Sequence, residues 1–193
     1  MVDNSTSAAD EIRRTFDAVT SAGYRSEMTQ GAADAEIDSM AAAQGVTMVP
    51  EAVREIMRLL GKKAPVWFSG TTFGVDAVDS AVKREALECL EEAESHEMQD
   101  PEHLLVVAEG GSYSYVVVDG ADLAHPDPPL WLLDESGRIE KRWNSVTSWF
   151  ALRGEGVIER KRKLADRRAK GRPDTRREAY FRWGTSGTEA SES

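Results

Sequence analysis

Leu104-Leu-Val-Val-Ala-Glu-Gly-Gly-Ser-Tyr-Ser-Tyr-Val-Val-Val-Asp119 is the stretch that decides the fold. Two runs dense in Val, Leu and Tyr flank Glu109-Gly110-Gly111, where glycine accepts the positive φ of a tight turn. Leu104 to Ala108 and Ser112 to Asp119 are therefore predicted to pair as an antiparallel hairpin. Downstream, Pro128-Pro-Leu-Trp-Leu-Leu133 supplies a third strand, with its prolines at the start, where a missing amide donor does least harm. Asp134-Glu-Ser-Gly137 forms a turn. Arg138 to Trp143 then alternates Ile139, Lys141 and Trp143 against Arg138, Glu140 and Arg142, the period of a half-exposed edge strand. A short helix is expected from Ser145 or Val146 through Leu152.

Upstream the period changes to that of helices. Ser7 can cap a helix over residues 8–22, with Asp10 and Glu11 at its positive end and Ile12, Phe16 and Val19 as its apolar stripe. A second helix is predicted from about Ala32 to Gln44, stopped by Gly45, and a third begins at Pro50 and ends at Gly61. Pro65-Val-Trp-Phe68 reads as a brief strand or a buried loop. From Asp76 to about His96 a fourth helix is expected, with Val78, Val82, Ala86, Cys89, Leu90 and Ala93 inside. Helices grouped before strands predict a segregated α+β fold with an antiparallel-dominated sheet packed against N-terminal helices. Three regions follow: residues 1–30 as a helix plus polar linker, 31–153 as the α+β domain, and 154–193 as a basic, flexible C-terminal tail.

Charge is unevenly placed. Residues 1–150 hold 27 acidic against 12 basic residues, a net of −15, whereas residues 151–193 carry a net of +5. An acidic body repels phosphate backbones and steers basic surfaces inward, so the expected partner is a basic protein and the body is not expected to bind nucleic acid. The plainer reading is that acidity maintains solubility. No apolar run approaches the roughly 18 residues of a membrane span, and Met1 to Thr6 lacks a signal-peptide pattern, so a cytoplasmic protein is expected. Cys89 is the single cysteine, which excludes an internal disulfide and a cysteine-built zinc site.

The order of elements and their residues resembles the SUKH superfamily, which includes bacterial immunity proteins and a yeast regulator of cell-wall assembly. Two stretches carry the resemblance. Ile37 through Gly61 is similar to the family's opening helix, glycine break and proline-led second helix. In Leu104 through Phe150, Gly110-Gly111, the strand ending at Asp119, the Asp127-Pro-Pro-Leu130 entry and Ser148-Trp-Phe150 are similar to its sheet and final helix. The family often places a glutamate four residues before the helix-breaking glycine, and here that position is Ala41; Lys62-Lys-Ala-Pro65 replaces a usual glycine-rich segment. What the resemblance implies over about residues 35–152 is a non-catalytic binding fold without cofactors, often employed to neutralise toxins, many of them nucleases.

The candidate contacts are Glu88, Glu91, Glu92 and Trp143. Glu85, Glu88, Glu91, Glu92, Glu94 and Glu97 surround the fourth predicted helix and could occupy the basic site of a nuclease, although a solvated helix face explains the same pattern. Trp131, Trp143 and Trp149 each fit core positions, with Trp143 the one expected to be most exposed. Cys89, Glu92 and His96 are too few for a stable metal site. Gly-x-Ser-x-Gly and phosphate-loop motifs are absent, so no enzyme is expected. The competing expectation is a regulatory or scaffolding protein, with the basic tail meeting an acidic partner, nucleic acid or a membrane.

Overall fold

The computed structural model describes residues 6–93, 95–111 and 113–183. Glu94, Ser112, residues 1–5 and residues 184–193 of the predicted tail lie outside the described residues. The fold is α+β, a five-stranded antiparallel sheet with N-terminal helices packed against it.

Helix α1 (Ala8–Ser21) starts where Ser7 Oγ accepts the Asp10 amide at 3.1 Å, and it buries Ile12, Phe16 and Val19. Helix α2 (Asp34–Ala43) is closed at its start by Glu36, whose carboxylate accepts the Ala33 amide at 2.9 Å. It ends at Gly45, where φ is +69°, a value glycine adopts without steric cost. Pro50 precedes α3 (Glu51–Leu60), whose Val53, Ile56, Met57 and Leu60 are buried. Ala41 lies in the core at 2% exposure, so a glutamate would not be accommodated there without leaving its charge buried.

The sheet is a meander in the order β1 (Thr72–Phe73), β2 (Leu105–Glu109), β3 (Ser114–Val118), β4 (Leu130–Asp134), β5 (Ile139–Trp143). Every neighbouring pair is antiparallel. Tyr115 faces Leu133 and Val117 faces Trp131 across the centre, and β5 forms the predicted edge. Pro65 to Phe68 is the buried-loop alternative and not a strand; the first strand is the following pair, Thr72–Phe73.

Helix α4 is shorter than the periodicity predicts and spans Ser80–Glu91, capped by Asp79, which accepts the Ala81 and Val82 amides. Beyond it, the buried Asp119 carboxylate accepts the amides of Gln99 and Asp100 at 2.6 and 2.8 Å and fixes the chain that leads into β2. Gln44 ties the layers: its side chain accepts the Val106 amide at 2.8 Å and donates to the carbonyls of Val78 and Val106.

Helix α5 corrects the expected flexible tail. It does not stop at Leu152 but runs from Val146 to Ala169, followed by α6 (Thr175–Glu178). Gly154, Val157, Leu164 and Phe181 are all buried. A Cβ at Gly154 would sit 3.0 Å from Val19 and 3.2 Å from Thr15, so the missing side chain lets α1 cross α5 closely. The rings of Phe16, Trp67 and Phe150 stack in series, at 5.7 and 4.8 Å between centroids, joining α1, the 65–68 loop and α5. Phe181 meets Tyr24 edge-on at 5.9 Å, and main-chain bonds from Arg25 to Tyr180 and from Arg182 to Gly23 fasten that closure. Residues 6–183 therefore share one core, and α1 is docked on it.

Candidate functional site

Two clefts of opposite charge stand out. The first is built by α4. Burial of Ala86, Cys89 and Leu90 against the sheet turns Glu85, Glu88 and Glu92 along one rim, with Tyr115 of β3 and Glu135 of the β4–β5 turn completing a cleft of about 550 Å³. Tyr115 donates from its hydroxyl to Glu85 at 3.3 Å. Burial, then the Glu85 charge, pushes that phenol well above its usual range, so it remains a neutral donor at physiological pH. Burial likewise raises the Cys89 thiol, with Glu135, Glu92, Asp134 and Glu88 adding to the effect. A thiol held protonated is a poor nucleophile, and Cys89 acts as a small core residue.

The predicted contacts are only partly brought together. Glu88 and Glu92 line the cleft and are exposed, whereas Glu91 is exposed outside its lining. Glu97 lies beyond the helix. Trp143 is half-buried and packs edge-on against Trp149 of α5 at 6.4 Å, so it belongs to the α5 side of the domain and not to the acidic cleft. Glu85, Tyr115 and Glu135 complete the site. Glu135 escaped the sequence reading because a turn residue beside Gly137 carries no positional signal until the hairpin is placed against α4.

The second cleft, of about 1180 Å³, lies between α5, α6 and the 65–70 loop. Arg160, Lys163 and Arg167 share one face of α5, Arg176 and Arg177 come from α6, and Tyr180 adds a half-buried ring. Glu159 and Asp174 are the acids of its lining, and both are engaged. Glu159 meets Arg162 and Lys163 at 3.6 and 3.8 Å, and Asp174 caps α6 and meets Arg177 at 3.7 Å. Arg160 donates to Ser69 at 2.7 Å. Val66 lines the same cleft with φ at +76°, a left-handed conformation costing a β-branched residue on the order of 1–3 kcal/mol. Reading residues 154–193 as a tail hid this cleft. The signal that could have found it is the spacing of Val157, Leu164 and Phe181.

Neither cleft holds a group of three or more His, Cys, Asp or Glu side chains placed to hold a metal among the described residues. Among those residues, no helix is long and apolar enough to cross a membrane. No protein-family model matches the chain, and neither the curated proteins nor the solved structures contain a match.

Proposed function

We propose that this chain is a cytoplasmic, non-catalytic protein-binding domain of the SUKH type that receives a basic partner in the α4 cleft, acting as an immunity protein that neutralises a toxin such as a nuclease. One observation carries the reading: Glu85, Glu88, Glu92 and Glu135 converge on one cleft whose described lining contains no Lys or Arg. Converging acceptors suit the Lys and Arg side chains with which nucleases hold phosphate, and their summed field speeds encounter with a basic surface. Arg84, 3.9 Å from Glu88 on the outer helix face, meets one of these four acids and leaves the other three.

A panel of purified basic nuclease toxin domains tests this, assayed for one-to-one inhibition of DNA or RNA cleavage. A domain that is inhibited should associate at least roughly tenfold more slowly with the E88K/E92K/E135K variant, and the wild-type rate should fall as salt rises. Unchanged kinetics in that variant would move the docking surface elsewhere. Absence of inhibition across the panel favours the second reading, a regulatory or scaffolding protein, which the second, oppositely charged cleft supports.

A further inference from the structure

From the α5–α6 groove we infer a second binding site, for a short stretch of single-stranded nucleic acid. Residues 1–150 carry a net charge of −15, yet the groove concentrates Arg160, Lys163, Arg167, Arg176 and Arg177 on one concave surface. Its two acids sit beside Arg162, Lys163 and Arg177, so two of the five cations are shared with them. Arg160, Arg167 and Arg176 make no ion pair among the described residues, and Arg160 is steadied in the groove by its bond to Ser69 at 2.7 Å. Four of the five cations are arginines, whose planar forks match phosphate oxygens in pairs.

The shape favours a strand over a single anion or a duplex. From Arg160 to Arg167 the α5 stripe runs about 10 Å at 1.5 Å per residue, and Arg176 of α6 extends the cationic surface, so about three phosphates of a strand can be met. The cleft of about 1180 Å³ exceeds the space one phosphate needs. The net charge of −15 over residues 1–150 disfavours the further phosphates that a duplex would bring to the protein. Tyr180, packed against the core and half-buried in the lining, leaves part of its side chain at the groove for contact with a base. The strained Val66 backbone, held on the wall of the groove, is of the kind that persists where a ligand surface requires it.

The test is fluorescence anisotropy of the full chain with a labelled oligouridylate or oligothymidylate of about eight nucleotides. With about three phosphates neutralised, affinity should fall roughly fifteen- to twentyfold between about 50 and 200 mM salt. R167E/R176E should weaken binding by more than about tenfold without moving the thermal midpoint, because both side chains are exposed. The E88K/E92K variant, altered only in the α4 cleft, should bind at least as well as wild type, which separates this site from the protein-binding reading. Three results would overturn the inference: no saturable binding at low salt, undiminished binding by R167E/R176E, or equally tight binding of an acidic peptide of the same length and charge, which would assign the groove to a protein.

Discussion

Cutting the chain after Arg153 removes what the charge pattern presents as a dispensable tail, and the outcome is predicted to be loss of the fold. Val157, Leu164 and Phe181 are 1, 3 and 4% exposed. Returning each to water costs about 1.5–3 kcal/mol, or about 5–9 kcal/mol together, before counting Val19, Tyr24 and Trp67, which the same segment covers. A domain of this kind has about 5–15 kcal/mol in total. The fragment 1–153 is therefore expected to lack a cooperative urea transition followed by far-ultraviolet circular dichroism. A chain ending at Lys170 provides an intermediate dose: it keeps α5 but loses Phe181 and its contact with Tyr24. That loss resembles a Phe→Ala core truncation of about 3–5 kcal/mol and should lower the melting temperature by roughly 10 °C. If the 1–153 fragment melts within about 5 °C of the longer chain with the same cooperativity, the shared-core account is wrong.

Other consequences are equally accessible. Gln44→Ala orphans the buried Val106 amide and carbonyl and should cost about 2–4 kcal/mol, with faster hydrogen exchange at Val106 as the local readout. Gly154→Val should destabilise by about 1–3 kcal/mol through overpacking against α1, since even a Cβ approaches Val19 at 3.0 Å; a stable variant would mean the helices can part. The Tyr24 hydroxyl donates to the Pro65 carbonyl at 2.9 Å, and burial holds its folded-state pKa above the unfolded value near 10. Above that pH the unfolded state loses this proton before the native state does. Through Tyr24 stability should therefore fall as pH rises past 10, by up to about 1.4 kcal/mol per pH unit, with buried Tyr115 adding to the slope, so Tyr24→Phe should reduce it without abolishing it. Trp143→Ala should lower stability through Trp149 while leaving partner association at the α4 cleft unchanged.

Strands β2 to β5 and the first three helices were legible because alternation, prolines and capping residues at Ser7 and Pro50 are local signals, whereas the two residues of β1 are too few to carry a period. The sign and the helix of the acidic site were legible for the same reason. Three features were not. The path of the chain after α4 depends on Asp119 capturing amides about twenty residues upstream, an event no local window contains. Trp143 follows the strand alternation, but which neighbour its ring meets depends on α5. The continuation of α5 was masked because Gly154 reads as a helix stop, whereas its role is steric, opening a notch for Val19 and Thr15. Charges crowd the intervening positions so thickly that Val157 and Leu164 look isolated. They become a stripe only when α1 is placed beside them.

Closure of the core by residues after 154 also sets an order of events during synthesis. Each strand of the meander pairs with the one made just before or after it, so the sheet can zip as it leaves the ribosome. Tyr24 cannot do the same, because the ring that seals it belongs to Phe181. At about 5–20 residues per second, the Tyr24 ring waits on the order of ten to thirty seconds for that partner. Through that interval the 27 acidic residues among the first 150 supply a mutual repulsion that opposes clumping.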